Sequence, residues 1–144
     1  TEDSDEYQDV VDRLLVKWET ARQIVPAAEI RYSKFNKAAI LSVGSSDGAC
    51  TEALDRLEAQ KISMNYCRVR AFPFDDAVKE FIEQHEVVYV VEQNRDAQLR
   101  TLLMLDCDAD PAKLVSLLHY NGLPLHAGFV VDRVLEERSK GQAA

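Results

Sequence analysis

The run Glu86-Val87-Val88-Tyr89-Val90-Val91-Glu92-Gln93-Asn94 constrains this chain more than any other stretch. Its five β-branched or aromatic residues form a segment too short for a buried helix and too uniformly apolar for a strand with one wet face. They predict a strand covered on both sides, which requires helices above and below a sheet. The neighbouring segments supply both kinds of element. The apolar run Ala38-Ala39-Ile40-Leu41-Ser42-Val43 stops at Gly44, and Cys50, Ala53, Leu54 and Leu57 then mark one face of a helix. The segment 62–70 alternates Met64, Tyr66 and Arg68 against Asn65, Cys67 and Val69 as a second strand. Past the turn at Pro73, Asp75 or Asp76 caps a helix that turns Val78, Phe81 and Ile82 inward. After the valine-rich strand, Leu99, Leu102 and Leu103 face inward from the next helix. The segment 113–120 fits either a strand or a helix and is assigned as a strand, and Val130, Val131, Val134 and Leu135 define the last helix.

An N-terminal helix near 6–24 is expected from Val11, Leu14, Leu15, Trp18, Ala21 and Val25, with Pro26 ending it. Trp18 reads as its packing anchor. Residues 27–37 show no clear period and form a connector with a short extended piece. Strands alternating with helices imply right-handed βαβ units, hence an α/β fold: a three-layer α/β/α arrangement around a mainly parallel sheet. The expected organisation is one domain over 9–138, preceded by an acidic arm or linker remnant at 1–8 and followed by a frayed tail at 139–144. The first residue is threonine and the first eight residues hold four acids, so the chain reads as a piece of a longer protein.

The net charge of −8 over 144 residues, with no basic stripe, argues against nucleic-acid binding. No apolar run approaches the ~20 residues that cross a membrane. Cys50, Cys67 and Cys107 lie far apart without C-x-x-C spacing, which disfavours a disulfide framework or a zinc site. They read as small core residues of a cytoplasmic protein.

Gly44-Ser45-Ser46-Asp47-Gly48 matches the G-x-S-x-G elbow of serine hydrolases. A triad is conceivable in chain order: Ser46, then Asp106, Asp108 or Asp110, then His119 or His126. The hydrolase fold, however, needs earlier strands to supply an oxyanion donor, and here only a helix and a connector precede the serine. A phosphate could sit at the helix N-terminus in a small-ligand or nucleotide-binding module, but neither glycine-rich phosphate pattern is present and Asp47 would repel the anion. Capping explains the same residues: Ser45, Ser46 or Asp47 accepting helix N–H bonds, with Gly44 and Gly48 allowing tight geometry and close helix–strand packing. His85 lies near a helix end and reads as structural. His119 and His126 lack metal-ligand spacing. Glu92, ending a buried strand, must find partners for its carboxylate.

Four segments in order, 40–57, 67–74, 87–103 and 118–125, resemble the C-terminal domain of the α subunit of 2-oxoacid:acceptor oxidoreductases, with the 2-oxoglutarate:ferredoxin branch the nearest. The resemblance spans residues 9–137. Ala97 and Asp96 stand before Gln98, where the family often has a glycine, as in a subgroup variant. The resemblance implies a transketolase C-terminal-like fold. It also implies membership of an enzyme that oxidatively decarboxylates a 2-oxoacid to acyl-CoA with thiamine diphosphate, magnesium and an iron–sulfur cluster. Those groups are expected elsewhere in the enzyme: Ser45-Ser46-Asp47-Gly48 only half resembles the Gly-Asp-Gly metal motif, and three scattered cysteines cannot hold a four-cysteine cluster. No catalytic, cofactor or metal residue is assigned here. The implied partners are the N-terminal pyrimidine-binding domain of the same chain and the β subunit, with a homodimer as a further option. Ser45, Ser46, Asp47, Gly48, Glu92, Gln93 and Asn94 lie at the carboxyl ends of strands and are the candidate interface.

Overall fold

The computed structural model describes residues 2–33 and 36–142. Helix α1 (Ser4–Ile24) is followed by β1 (Glu29–Arg31), β2 (Ala38–Val43), α2 (Asp47–Ala59), β3 (Asn65–Val69), α3 (Asp76–Glu83), β4 (Val87–Glu92), α4 (Gln98–Asp106), β5 (Leu114–Leu118) and α5 (Ala127–Gln142). The strand order is β1-β3-β2-β4-β5. The four strands β2 to β5 are joined by three parallel ladders, and β1 alone runs antiparallel, pairing Glu29 with Arg68 and Arg31 with Tyr66.

The alternation of side chains along each strand builds two cores. On one face, Ala39, Leu41, Val88 and Val90 pack under Val78, Phe81 and Leu103 of α3 and α4. On the other, Ile40, Tyr66, Tyr89 and Val91 pack under Leu57 and Val130 of α2 and α5. The valine-rich strand is therefore covered on both sides, as its composition requires. Each large apolar side chain fully buried here contributes about 1.5–3 kcal/mol relative to exposure.

Several elements differ in detail from expectation. Helix α1 begins at Ser4 because Asp3 caps it, its carboxylate accepting from the amides of Asp5 (2.9 Å) and Glu6 (3.1 Å). The acidic opening is thus largely helix. No residue of α1 is fully buried. It touches the body through its last turns: Trp18 packs edge-on to Phe72 (centroids 5.3 Å apart), and Arg22 makes a paired contact with Asp106 (2.8 Å to each oxygen) while donating to the Phe74 carbonyl. Helix α5 continues to Gln142, into the stretch expected to fray; residues 143 and 144 of that stretch lie outside the described residues. The connector holds β1, and Asp75 anchors it while capping α3: one carboxylate oxygen accepts from Ala28 N (2.5 Å) and the other from Val78 N (3.1 Å). At the opposite end of the sheet, the buried ring of His85 joins the Phe81 carbonyl (2.5 Å) to the Asn65 amide (2.8 Å), and Asn65 accepts from Ser33 N (2.6 Å). His85 is structural through these bonds, one of which serves a carbonyl in the last turn of α3.

Candidate functional site

Strand β2 leads into α2 on one face of the sheet, and neighbouring β4 leads into α4 on the other, so their carboxyl ends part to leave a crevice. This is a topological switch point, the usual ligand or partner position in open α/β sheets. The crevice encloses about 530 Å³ between the turns after β2, β3 and β4. Its walls combine Val43, Phe72 and Leu102 with the polar ends of Ser45, Arg70 and Gln93.

Gln93 ties two of these turns together. Its amide donates to Ser45 Oγ (3.1 Å) and Ser46 Oγ (3.3 Å), so Ser45, Ser46 and Gln93 converge. Glu92 lies beneath them at 1% exposure. One of its oxygens accepts from Leu99 N (2.7 Å) and Asn94 Nδ2 (2.7 Å), the other from Arg100 N (3.1 Å). The carboxylate therefore caps α4, whose N-terminal amides and macrodipole offset its desolvation. The residue in the N-cap position, Ala97, makes no side-chain cap bond and sits at φ 52°. Asn94 in turn accepts from Asp96 N (3.0 Å) and Gln98 N (3.3 Å), fixing the loop after β4.

Asp47 goes elsewhere. Tyr66 OH donates to its Oδ1 (2.8 Å) and so accepts from Ser42 Oγ (2.7 Å). Arg68 stands 3.7 Å from Asp47 and 3.2 Å from Glu29. Burial, more than any neighbour, pushes the Tyr66 phenol upward, and likewise raises the adjacent Cys50 thiol to about 12. The expectation that Ser45, Ser46 or Asp47 caps α2 is not met. A 3₁₀ turn over Gly44–Ser46 feeds directly into the helix, Ser46 is already in a helical conformation, and its hydroxyl turns to Gln93. Gly44 is required by its positive φ of 62°, whereas a Cβ on Gly48 would meet nothing, so Gly48 serves no close packing.

The hydrolase geometry is absent too. Ser46 is 1% exposed and bonds to Gln93, while the histidines are engaged elsewhere: His85 as above, His126 accepting from Phe129 N (3.2 Å), and His119 edge-on to Phe129 (4.8 Å). A second cavity of about 490 Å³ lies beside β5 and α5, but its cation Arg133 is paired with Glu136 (2.7 Å). The crevice does not suit magnesium or thiamine diphosphate: Asp47, Glu92 and Asn94 already spend their oxygens on Tyr66 and on backbone amides. The cysteines are divided between the two cores, Cys50 on one face and Cys67 and Cys107 on the other, and among the described residues no group of three metal-binding side chains gathers. No helix among them is long and apolar enough to cross a membrane.

Sequence reading missed Tyr66, Arg68, Arg70 and Phe72 as parts of this edge. Tyr66 and Arg68 carried a signal: polar atoms on a strand otherwise buried on both faces must find partners.

No protein-family model and no curated protein matches the chain. Solved structures do. A 2-oxoglutarate:ferredoxin oxidoreductase from Magnetococcus marinus, determined with 2-oxoglutarate, coenzyme A and succinyl-CoA bound, superposes at a TM-score of 0.82 with 20% identity, over 95% of this chain and 24% of that one. The alpha chain of a probable 2-oxoacid ferredoxin oxidoreductase from Thermoplasma acidophilum gives 0.52 with 24% identity, over 76% of this chain and 95% of that one. A split-gene transketolase, described as an inactive β4 tetramer, gives 0.59 with 20% identity, over 75% of this chain and 40% of that one. The chain thus spans about a quarter of the length of the Magnetococcus marinus protein. The fold is the three-layer, mainly parallel α/β arrangement of the transketolase C-terminal type.

Proposed function

We propose that this chain is the non-catalytic C-terminal domain of the α subunit of a thiamine-diphosphate-dependent 2-oxoacid:ferredoxin oxidoreductase, with 2-oxoglutarate as the 2-oxoacid. Its work is domain packing and subunit assembly. The observation that carries this reading is the superposition on the Magnetococcus marinus enzyme. It leaves unmatched only 5% of the 144 residues, fewer than the 21 of α1, so the projecting helix is for the most part included in the likeness as well as the sheet. The ordered sequence segments around Gly44, Pro73, Glu92 and Asn121 support the same family independently.

When bound, thiamine diphosphate supplies the carbanion chemistry of such enzymes. The residues here contribute no group to it. Asp47, Glu92 and Asn94 hold the switch-point turns rigid, and the exposed side chains of Ser45, Gln93 and Arg70 face outward for a neighbouring domain of the same chain or the β subunit.

The test is purification through a tag on this chain from the cells that make it. The expected result is a complex containing pyrimidine- and pyrophosphate-binding domains that reduces a viologen dye only when 2-oxoglutarate and coenzyme A are both supplied. A Gln93→Arg change should lower recovery of that complex while the tagged chain stays folded by circular dichroism. A purified chain whose companions show no 2-oxoacid-dependent dye reduction would overturn the reading.

A further inference from the structure

Helix α1 carries an apolar seam that its own domain does not cover. Tyr7, Val11, Leu14, Trp18 and Ala21 follow one another at intervals of four, three, four and three. That is the heptad spacing with which one helix packs along another. Only the C-terminal end of the seam meets the body, where Trp18 lies against Phe72. Toward the N-terminus the seam runs into solvent, with Tyr7 63% and Leu14 55% exposed. A helix with so little tertiary support is marginal in water, and an exposed heptad seam signals a partner helix.

Charge identifies that partner. Residues 2–12 hold six acids and no base, whereas residues 13–22 hold Arg13, Lys17 and Arg22 against Glu19 alone. A parallel pair would set the acidic halves side by side. An antiparallel pair sets each acidic half beside the basic half of the other helix, which favours that direction and disfavours the alternative. The acidic half also repels nucleic acid and anionic membranes. In the antiparallel arrangement Tyr7 of one copy reaches the Trp18–Phe72 contact of the other, where Phe72 is 41% exposed and so has surface left to cover. The two domains then stand at opposite ends of the pair.

We propose that the exposed face of α1 is a dimerisation surface that pairs antiparallel with α1 of a second copy of this chain. Two to three heptads on each side bury on the order of 1,000 Å² in total, at the low end for specific interfaces. A reversible dimer in the micromolar range is expected.

Sedimentation equilibrium of the 144-residue chain should show its 16.3 kDa mass doubling as concentration rises through the micromolar range. Leu14→Glu should weaken association at least tenfold. Reversing Asp5, Asp9 and Asp12 to lysine should do so at low salt while leaving the apolar seam intact, and circular dichroism checks that both variants are folded. Direction is read by cross-linking single cysteines with a short bismaleimide, the native thiols being buried. Val11→Cys should link between copies and Ser4→Cys should not, because only an antiparallel pair keeps position 11 near its mate while separating position 4. A chain that stays monomeric at hundreds of micromolar, an unaffected Leu14→Glu dimer, or equal cross-linking at both positions would overturn the proposal.

Discussion

Replacing Glu92 with glutamine asks whether the crevice is held from inside. The wild-type carboxylate receives three donors on two oxygens: Leu99 N and Asn94 Nδ2 on one, Arg100 N on the other. Glutamine keeps a single acceptor oxygen. Placed where Leu99 and Asn94 are served, it turns its NH₂ toward Arg100 N, donor against donor. One N–H is then left unsatisfied, at a cost of about 1–3 kcal/mol. Two further bonds lose their charge assistance, roughly 0.5–1 kcal/mol each. The attraction of a negative charge for the α4 N-terminus goes as well, about 0.3–1 kcal/mol. These losses combine to about 2–6 kcal/mol, a large share of the 5–15 kcal/mol typical of a domain. At roughly 2–4 °C per kcal/mol for a chain of this size, the melting point should fall by about 10 °C. Urea unfolding followed by far-ultraviolet circular dichroism gives the stability change, and hydrogen exchange locates it, with faster exchange expected first at Leu99 and Arg100. A stability change below about 0.5 kcal/mol, smaller than the loss of a single such bond, would refute the capping role.

Two other predictions concern ionisable groups. The Arg22 guanidinium, more than the Phe74 amide, holds the Asp106 carboxyl below the usual carboxylate range. A depressed carboxyl contributes stability that is complete above its unfolded value near 4 and is lost as pH falls through the lower folded value. Asp106→Asn should therefore cost about 3 kcal/mol between pH 5 and 8, because both partners are largely buried and Arg22 is left without its counter-charge. The gap from wild type should narrow below about pH 4, and a gap unchanged down to pH 2 would contradict the assignment. Burial pushes the thiols of Cys50, Cys67 and Cys107 up to about 12. At pH 8 an aromatic disulfide reagent should leave the native chain untouched and modify all three cysteines in urea, so fast labelling of any one in the native state would count against the two-core placement.

What the sequence disclosed and what it hid divide along one physical line. Burial by local periodicity was legible: β2 and β4 declared themselves by residues apolar on both faces, and α3 by Val78, Phe81 and Ile82 on a single one. The crevice followed from those elements, because alternating strands and helices place the turns after β2 and β4 side by side, and Ser45, Ser46 and Gln93 do meet there. Long-range polar pairing was not legible. Strand β1 has three residues and exists only through its register with β3, more than thirty positions away. Arg22 and Asp106 lie 84 residues apart. The Glu92 carboxylate demanded a partner by its setting, yet the sequence did not name one, since the N-cap residue Ala97 offers no acceptor and α4 takes much of its cap from the preceding strand. The same division separates buried from exposed polar side chains at this edge. Asp47 and Glu92 are consumed by internal bonds, so changing them disturbs the fold before any interface is tested. Ser45, Gln93 and Arg70 remain exposed at the crevice, and substitutions there probe the surface that a neighbouring domain would meet.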